Sequence, residues 1–216
     1  DINIVASVCL LEAARRAKVK KFIFSSSGGA IYGGATKLPT PEDFYPHPFS
    51  PYGVSKLAFE QYLHCYGHVY KFPYVALRYA NVYGPRQSGK GEAGVVAVFA
   101  QKMLRGEQPV INGDGKQTRD YVYIDDVVRA NMLALRPRVR GVYNIGTGQE
   151  TTVNEIFRTL CALTGADVHL RHGPAKLGEE RRSVLDARRA RRVLGWKPRV
   201  PLAEGLKRTV AWFRER

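Results

Sequence analysis

The sequence predicts an α/β fold in which helices alternate with the strands of a parallel, doubly wound sheet. Two observations support this fold class. Helical and strand-like hydrophobic patterns alternate from residue 3 to residue 80, and connections of this length between strands are typical of parallel pairing. With 216 residues, of which 44% are hydrophobic, the chain can build one large domain or two small ones with a real core.

The first elements follow one another in a regular order. Apolar positions recur with a helical period over residues 3–17, and the apolar run KKFIFSS at 20–26 indicates a buried strand. A loop rich in Gly, Pro and Thr at 28–51 precedes a second helix, which ends near residue 70, and a second strand from residue 73. The order α-β-α-β therefore opens the chain.

Later segments continue the same pattern. We expect a helix over 95–104, a turn at 112–115, a strand at 119–124, a helix over 125–135 and a strand with its loop at 142–148.

A capping box marks the start of the next helix. Thr152 and Glu155 have the spacing at which each side chain satisfies a free backbone N–H of the other. We expect this helix to reach about residue 163, and an amphipathic helix over 202–216 to end the chain.

One element of a nucleotide-binding sheet is missing from the pattern. Such a sheet normally opens with a strand, a Gly-rich turn and a helix whose N–H groups hold a pyrophosphate. No G-x-G-x-x-G motif follows a strand here, and we expect GGAIYGG at 28–34 not to open a helix. We therefore expect a doubly wound sheet that lacks its first βαβ segment.

Charge and composition narrow the class of ligand. Lys and Arg number 34 against 19 Asp and Glu, a formal charge of +15. Much of the excess surrounds a short helix near 188–192 instead of forming one stripe, and no interleaved aromatic residues offer stacking platforms. An anionic small ligand is therefore favoured over nucleic acid, and a basic, non-catalytic nucleic-acid-binding protein stays as the alternative of another class.

The compartment is inferred from what the sequence lacks. It contains no apolar run long enough to span a membrane and no signal peptide at its start. Three cysteines, Cys9, Cys65 and Cys161, lie far apart in the sequence, and their odd number argues against a disulfide framework. Each sits inside an apolar helical pattern, so we expect buried, reduced thiols. His64 and His68 lie four residues apart, but no third ligand matches them, so no metal site is expected. A cytoplasmic protein without membrane contact is predicted.

Tyr52 and Lys56 are the strongest candidates for chemistry. They lie four residues apart on the opening turn of a predicted helix, so their side chains can reach the same space. A phenol with a pKa of about 10 is a poor base at neutral pH unless a nearby positive charge stabilises the phenolate. Lys56 can supply that charge, and the strand end at 25–27 offers three serine hydroxyls.

Four motifs in order resemble the extended short-chain dehydrogenase/reductase superfamily, in particular its nucleotide-sugar epimerases. They are Ser27, the Tyr52-x-x-x-Lys56 pair, ALRYANVYGPRQ at 76–87 and GDGKQTRDYVYIDDV at 113–127. The resemblance covers essentially the whole chain. It implies a Rossmann-type sheet with a smaller α/β substrate-binding lobe, a bound NAD and a nucleotide-sugar substrate.

The same resemblance implies a division of the chain. Residues 1–85, with a return at 117–147, would form the C-terminal part of the NAD-binding domain. Residues 86–116 and 148–216 would form the nucleotide-sugar-binding lobe. A homodimer through a helix pair that includes residues 53–70 is also implied. Without the Gly-rich turn, we expect these 216 residues alone to bind NAD weakly and to lack activity.

Site residues are assigned by the resemblance, motif by motif. Tyr52 would be the catalytic acid/base, Lys56 would lower the pKa of Tyr52, and Ser27 would assist proton transfer, with Ser26 as the fallback hydroxyl. The residues assigned to the cofactor are Ser25, Ser26, Tyr52, Lys56 and Tyr79.

Residues on the substrate side come from the later motifs. The set assigned to the sugar nucleotide is Asn81, Val95, Asn112, Arg119, Lys176 and Ser183. Arg119 would grip the diphosphate, or would alternatively be a turn residue paired with Asp120 or Asp114. Ser183 would leave room for an N-acetyl group on the sugar, or would alternatively lie on a solvent-facing strand.

The implied activity is NAD-dependent 4-epimerisation through a transient 4-keto sugar, with UDP-glucose and UDP-galactose as leading substrates. A 4,6-dehydratase or a UDP-glucuronate decarboxylase on the same fold is the nearest alternative. Dehydratases place an Asp-Glu pair directly after the catalytic hydroxyl, whereas this chain has Gly28 and Gly29 there. Elimination is therefore disfavoured.

Overall fold

Helices and strands alternate along the first part of the chain, in the computed structural model that describes residues 2–89 and 94–215. In order, these elements are a π-helical turn Ile2–Ala6, α1 (Ser7–Arg16), β1 (Phe22–Ser27), α2 (Gly28–Ile31), α3 (Pro51–Val69) and β2 (Tyr74–Tyr79). The predicted order is confirmed. The prediction of no helix after β1 is wrong, because Gly28–Ile31 forms one helical turn whose Ile31 is fully buried.

The second part of the chain carries shorter strands. Its elements are β3 (Asn81–Tyr83), α4 (Val95–Leu104), β4 (Ile111–Asn112), β5 (Thr118–Arg119), β6 (Tyr121–Tyr123), α5 (Ile124–Ala134), β7 (Gly141–Ile145), β8 (Thr151–Thr152), α6 (Val153–Thr164), β9 (His172–Gly173), β10 (Arg182–Ser183), α7 (Arg188–Leu194) and α8 (Leu202–Arg214). The predicted capping box at the start of α6 is confirmed, with both reciprocal hydrogen bonds present.

The strand predicted at 119–124 is divided in the structure. Asp120 separates β5 from β6, and the two short strands belong to different sheets. β5 lies between β10 and β8, whereas β6 pairs in parallel with β3. The division arises because the Asp120 side chain turns inward and binds backbone N–H groups of other segments.

A parallel sheet in the order β1-β2-β7 carries the first half of the fold. In its register Ser27 lies opposite Tyr79, and Tyr79 lies opposite Ile145, so the carboxyl ends of the three strands share one edge. β1 is an edge strand of this sheet as far as the described residues go. Its apolar residues are therefore only partly covered, although the sequence predicted a buried strand.

Helices cover both faces of this sheet, which is the doubly wound arrangement predicted. Side chains alternate along β2, as they must on a pleated strand. Val75 and Leu77 pack in one cluster with residues of α5 and α7, and Ala76 packs in another with Leu11 of α1 and Phe59 of α3. A third cluster joins α4, α6 and α8 with the short strands β4 and β6.

A buried ion pair fastens α3 to the sheet. Glu60 on α3 and Arg78 on β2 are 4% and 7% exposed, and their closest N–O distance is 2.7 Å. Ser26 on β1 donates a hydrogen bond to Glu60, and Arg78 also donates to the phenol oxygen of Tyr32. The pair therefore connects the helix to two neighbouring strands and to the residue that follows α2.

Two expectations about composition have different outcomes. The three cysteines are free thiols, as predicted, but the prediction that they are buried is wrong. Cys9 and Cys65 are exposed because they occupy the outer faces of α1 and α3. Within residues 2–89 and 94–215, every helix is too short or too polar to cross a lipid bilayer.

We expect the Glu60–Arg78 pair to behave as a unit in stability measurements. Arg78→Met leaves a buried carboxylate without its partner and should lower the free energy of unfolding by about 3–5 kcal/mol. The double variant Arg78→Met/Glu60→Leu should recover most of that loss, because two apolar side chains then pack together. Urea unfolding of the parent and both variants measures this. Equal losses in the single and double variants would contradict it.

Candidate active site

Tyr52 and Lys56 occupy the first turns of α3, whose start is built by local signals. Ser50 caps the helix by accepting a hydrogen bond from the Gly53 N–H at 3.1 Å, and Pro51 occupies its first turn. The Lys56 ammonium lies 5.6 Å from the centre of the Tyr52 ring. The predicted shared face of these two side chains is therefore present.

Lys56 is held between the helix and the end of β1. Its ammonium donates to the Ser25 carbonyl oxygen at 2.9 Å and lies 4.9 Å from the centre of the Phe24 ring. Partial burial lowers the pKa of Lys56 from its ordinary value, because a desolvated ammonium is less stable. Lys56 thus presents a positive charge beside a tyrosine that is 44% exposed.

A glycine allows α3 to approach α2 closely. A Cβ added at Gly53 would lie 2.2 Å from the Ala30 carbonyl oxygen, so only glycine fits between the two helices. This contact places the residue after Tyr52 directly against the segment that follows Ser27. The phenol-bearing turn and the Gly28–Gly29 segment are therefore neighbours.

The three serines of β1 have different environments. Ser25 Oγ lies 3.4 Å from the Tyr79 phenol oxygen, and Ser27 is partly exposed at the end of the strand. The expectation that the Ser26 hydroxyl could replace that of Ser27 in catalysis needs correction, whereas the assignment of Ser26 to the cofactor stays a prediction. Ser26 is 3% exposed and donates to Glu60, because alternate residues of a strand face opposite sides.

Asn131 is a site neighbour that the sequence reasoning missed. It lies on α5 and donates to the Tyr79 phenol oxygen at 2.8 Å and to the carbonyl oxygen of Val127 at 2.9 Å. It therefore fixes the phenol of Tyr79 beside Ser25. A single asparagine within a helix offers no sequence signal for such a contact.

Asn81 and Ser183 converge on Gly29. A Cβ built at Gly29 would lie 3.4 Å from Ser183 Oγ and 3.7 Å from Asn81 Oδ1. Ser183 is 8% exposed, so the alternative of a solvent-facing strand is wrong. Two residues assigned to the substrate therefore lie close in space to Gly29, which is the second residue after Ser27 in the chain.

Arg119 lies beside Ser183 through the parallel register of β5 and β10. Its guanidinium donates to the Thr118 carbonyl oxygen at 2.7 Å and to Glu179 at 3.1 Å. The alternative pairing of Arg119 with Asp114 is not observed, because Asp114 instead pairs with Arg181 at 2.7 Å.

The two glutamates near Arg119 were not identified from the sequence. Glu179 pairs with Arg119, and burial raises the pKa of the neighbouring Glu180 to about 7, although the positive charge of Arg119 opposes that rise. A carboxylic acid whose pKa lies so close to neutrality is unusual beside an arginine.

Three other assigned residues lie elsewhere, two on different elements and one in the loop between β9 and β10. Val95 opens α4 and packs against the α4–α6–α8 cluster. Asn112 ends β4, and its carbonyl oxygen accepts a hydrogen bond from Gln117 at 2.9 Å. Lys176 is exposed, and its carbonyl oxygen accepts from the Glu179 N–H at 3.3 Å.

Comparison with known proteins identifies the family. The NAD dependent epimerase/dehydratase family matches residues 1–146. A UDP-glucose 4-epimerase of Mycolicibacterium smegmatis is 47% identical over 216 residues, which are 100% of this chain and 69% of that protein. The chain belongs to the NAD dependent epimerase/dehydratase family.

Solved structures share both fold and sequence with this chain. A UDP-glucose 4-epimerase of Thermotoga maritima, solved with UDP-glucose, superposes with a TM-score of 0.95 at 54% identity and covers 99% of this chain and 69% of its own. The Thermus thermophilus UDP-glucose 4-epimerase, solved in complex with NAD, has a TM-score of 0.93 at 42% identity, covering 99% and 70%. The predicted Rossmann-type α/β fold and the predicted superfamily are confirmed.

Proposed function

We propose that the protein is a UDP-glucose 4-epimerase, which interconverts UDP-glucose and UDP-galactose. One observation carries the proposal. The turn that carries the Tyr52–Lys56 pair packs against α2 through Gly53, and Asn81 and Ser183 converge on Gly29 of the same α2. A proton-handling group and a polar substrate pocket thus meet at the carboxyl edge of a parallel sheet, where α/β folds bind their ligands. Similarity to enzymes named UDP-glucose 4-epimerase supports the choice of substrate.

The residues at this edge fit NAD. Lys56, Ser25 and Tyr79 gather an ammonium, a hydroxyl and a phenol, all of which can donate hydrogen bonds to ribose and nicotinamide oxygens. When bound, NAD would supply the reversible acceptor for the hydrogen at C4 of the sugar.

Tyr52 is proposed as the catalytic acid/base. Its phenolate would take the proton of the sugar 4-hydroxyl and return it after the sugar has turned over. The Lys56 ammonium favours the phenolate, because an opposite charge stabilises the ionised form. Ser27 would donate to or accept from the same sugar oxygen.

Inversion requires a firm grip on the nucleotide and a loose one on the sugar. Arg119 can donate two parallel hydrogen bonds to a diphosphate. Ser183 lies beside Arg119 in the register of β5 and β10, and Ser183 and Asn81 converge on Gly29. Gly28 and Gly29 carry no side chains into the pocket, so a 4-keto sugar can rotate there.

The same glycines leave no carboxylate directly after Ser27, which disfavours a 4,6-dehydratase. We also propose that Val95, Asn112 and Lys176 contribute to the nucleotide end.

We further propose that two copies associate through the outer faces of α1 and α3. Tyr62, Cys65 and Val69 form one stripe along α3, at the i, i+3 and i+7 spacing of a single helix face. Tyr62 and Val69 are 43% and 58% exposed, and Leu10 on α1 is 61% exposed. An apolar stripe of this kind on a helix pair suits a self-complementary interface.

Tyr52→Phe should abolish most of the activity while leaving the cofactor bound. We expect the turnover of UDP-galactose by the full-length protein to fall by a factor of ~10² or more, the scale of general acid–base catalysis. NAD content after purification should stay unchanged. Tyr62→Phe is the matched control, because Tyr62 is 43% exposed on the same helix, and it should keep full turnover. Turnover of Tyr52→Phe within a few-fold of the parent would remove Tyr52 from the mechanism.

Ser183 should control the size of the sugar that fits. We expect the parent to interconvert N-acetylhexosamine forms as well as plain hexoses, since a buried serine beside Gly29 leaves space. Ser183→Tyr should selectively abolish the N-acetyl reaction by steric overlap, whereas Ser183→Ala should keep both. Specificity constants for both substrate pairs measure this. A parent that rejects the acetamido sugars, or an equal response of both pairs, would show that Ser183 does not control size.

The proposed dimer can be tested by sedimentation. The double variant Tyr62→Glu/Val69→Glu should convert a dimeric parent into monomers, because charged side chains are strongly disfavoured at the centre of an apolar interface. Met132→Glu is the control, since Met132 is equally apolar and 62% exposed but lies on α5. A monomeric parent, or dissociation by both changes, would refute this interface.

A further inference from the structure

Asp120 is a buried residue whose carboxylate binds two separate segments, Thr147–Gly148 and Leu185. It is 1% exposed. One carboxylate oxygen accepts from the Thr147 N–H at 2.8 Å and from the Thr147 hydroxyl. The other accepts from the N–H groups of Gly148 and Leu185, at 3.0 and 3.3 Å. Four donors therefore point at one side chain.

The backbone of Asp120 extends this arrangement to the proposed substrate residues. Its carbonyl oxygen accepts from the Asn81 N–H at 2.8 Å, and its own N–H donates to the Ser183 carbonyl oxygen at 3.0 Å. Arg119 precedes it in the chain. Asn81, Arg119 and Ser183 are thus each bonded to Asp120 or adjacent to it.

Two glycine contacts show how tightly this region is built. A Cβ at Gly146 would lie 2.4 Å from an Asp120 carboxylate oxygen, and a Cβ at Gly28 would lie 2.5 Å from the Leu185 side chain. Leu185, whose N–H donates to Asp120, therefore packs directly on the segment that follows Ser27. A displacement of Leu185 would move the wall of the pocket.

The chemistry of the side chain explains why a carboxylate is present. Within residues 2–89 and 94–215, the ion pairs between side chains do not include Asp120. Burial alone raises the pKa of this carboxyl, and the four donors oppose that rise. An ionised carboxylate accepts at both oxygens and donates at neither, whereas an amide would direct two N–H groups at other donors.

We propose that Asp120 is a positioning residue for the sugar nucleotide, which holds Asn81, Arg119 and Ser183 in one arrangement around the pocket. This inference rests on the proposed function, because it assumes that these three residues bind a UDP-sugar. It assigns Asp120 no contact with the ligand. Its carboxylate acts through the segments that it holds.

The test compares Asp120→Asn with Asp126→Asn in the full-length protein. Asp126 is the control, because it is 0% exposed and also accepts backbone N–H groups, those of Arg199 and Val200 at 3.0–3.1 Å, although unlike Asp120 it also pairs with Arg129 at 2.7 Å. Both variants should lower the melting temperature. Only Asp120→Asn should weaken the binding of UDP in calorimetry, by ~10-fold or more, because small displacements of binding groups have large effects.

Kinetics and cofactor content complete the comparison. In Asp120→Asn we expect KM for UDP-galactose to rise by about the same factor as the UDP dissociation constant, with kcat within about threefold of the parent and NAD content unchanged. UDP affinity equal to that of the parent, or an equal loss in both variants, would overturn the inference. A parent that does not bind UDP would instead contradict the proposed function itself, and the inference with it.

A second pair of variants covers the case in which Asp120→Asn does not fold. Thr147→Val removes one donor to Asp120, and Thr209→Val removes a hydroxyl that donates to the Gly205 carbonyl oxygen on α8 and is more deeply buried than that of Thr147. Thr147→Val should weaken UDP binding more than Thr209→Val does. If the two variants bind UDP equally, the inference is wrong.

Discussion

The ion pair between Glu60 and Arg78 determines how the helix that bears Tyr52 and Lys56 lies on the sheet. A buried ion pair adds little net stability, because removing two charges from water costs about as much as their attraction returns. Its geometry is demanding, however, since both groups must meet and their remaining hydrogen bonds must be filled by Ser26 and Tyr32. An apolar contact would allow α3 to shift along the sheet, whereas the hydrogen-bonded Glu60–Arg78 pair fixes the position of α3 relative to β1 and β2.

A consequence of that register is a clear separation of tasks. Glu60 lies eight residues after Tyr52 and four after Lys56, so the three side chains follow one another along α3. Glu60, in the middle of the helix, is buried inside the protein, whereas Tyr52, in its first turn, is exposed at the carboxyl edge of the sheet. The short strands β5 and β10 carry Arg119 and Ser183, and Ser183 lies next to Gly29. The residues proposed for proton chemistry and those proposed for nucleotide binding thus lie on different elements of the fold.

Local patterns were sufficient to predict most long elements, because their signals lie within the elements. Pro51 and Ser50 mark the start of α3, and Thr152 with Glu155 marks the start of α6. The three consecutive serines could not be distinguished in the same way. Which of them is buried depends on Glu60, far along the chain and on another element. The placement of Ser183 likewise depends on a strand of only two residues. The division of the predicted strand 119–124 into β5 and β6 depends on hydrogen bonds to Asp120 from Thr147, Gly148 and Leu185.

The contacts of Arg119 have a consequence for the thermodynamics of ligand capture. Its guanidinium is already held by the Thr118 carbonyl oxygen and by Glu179. A free arginine side chain loses up to about 2 kcal/mol of rotamer entropy when it is ordered, and here that loss accompanies folding. A diphosphate bound by Arg119, as proposed above, would meet a preorganised guanidinium and would displace the Glu179 carboxylate from it. Binding then resembles the substitution of one anion for another, in which the arginine itself gives up little further freedom.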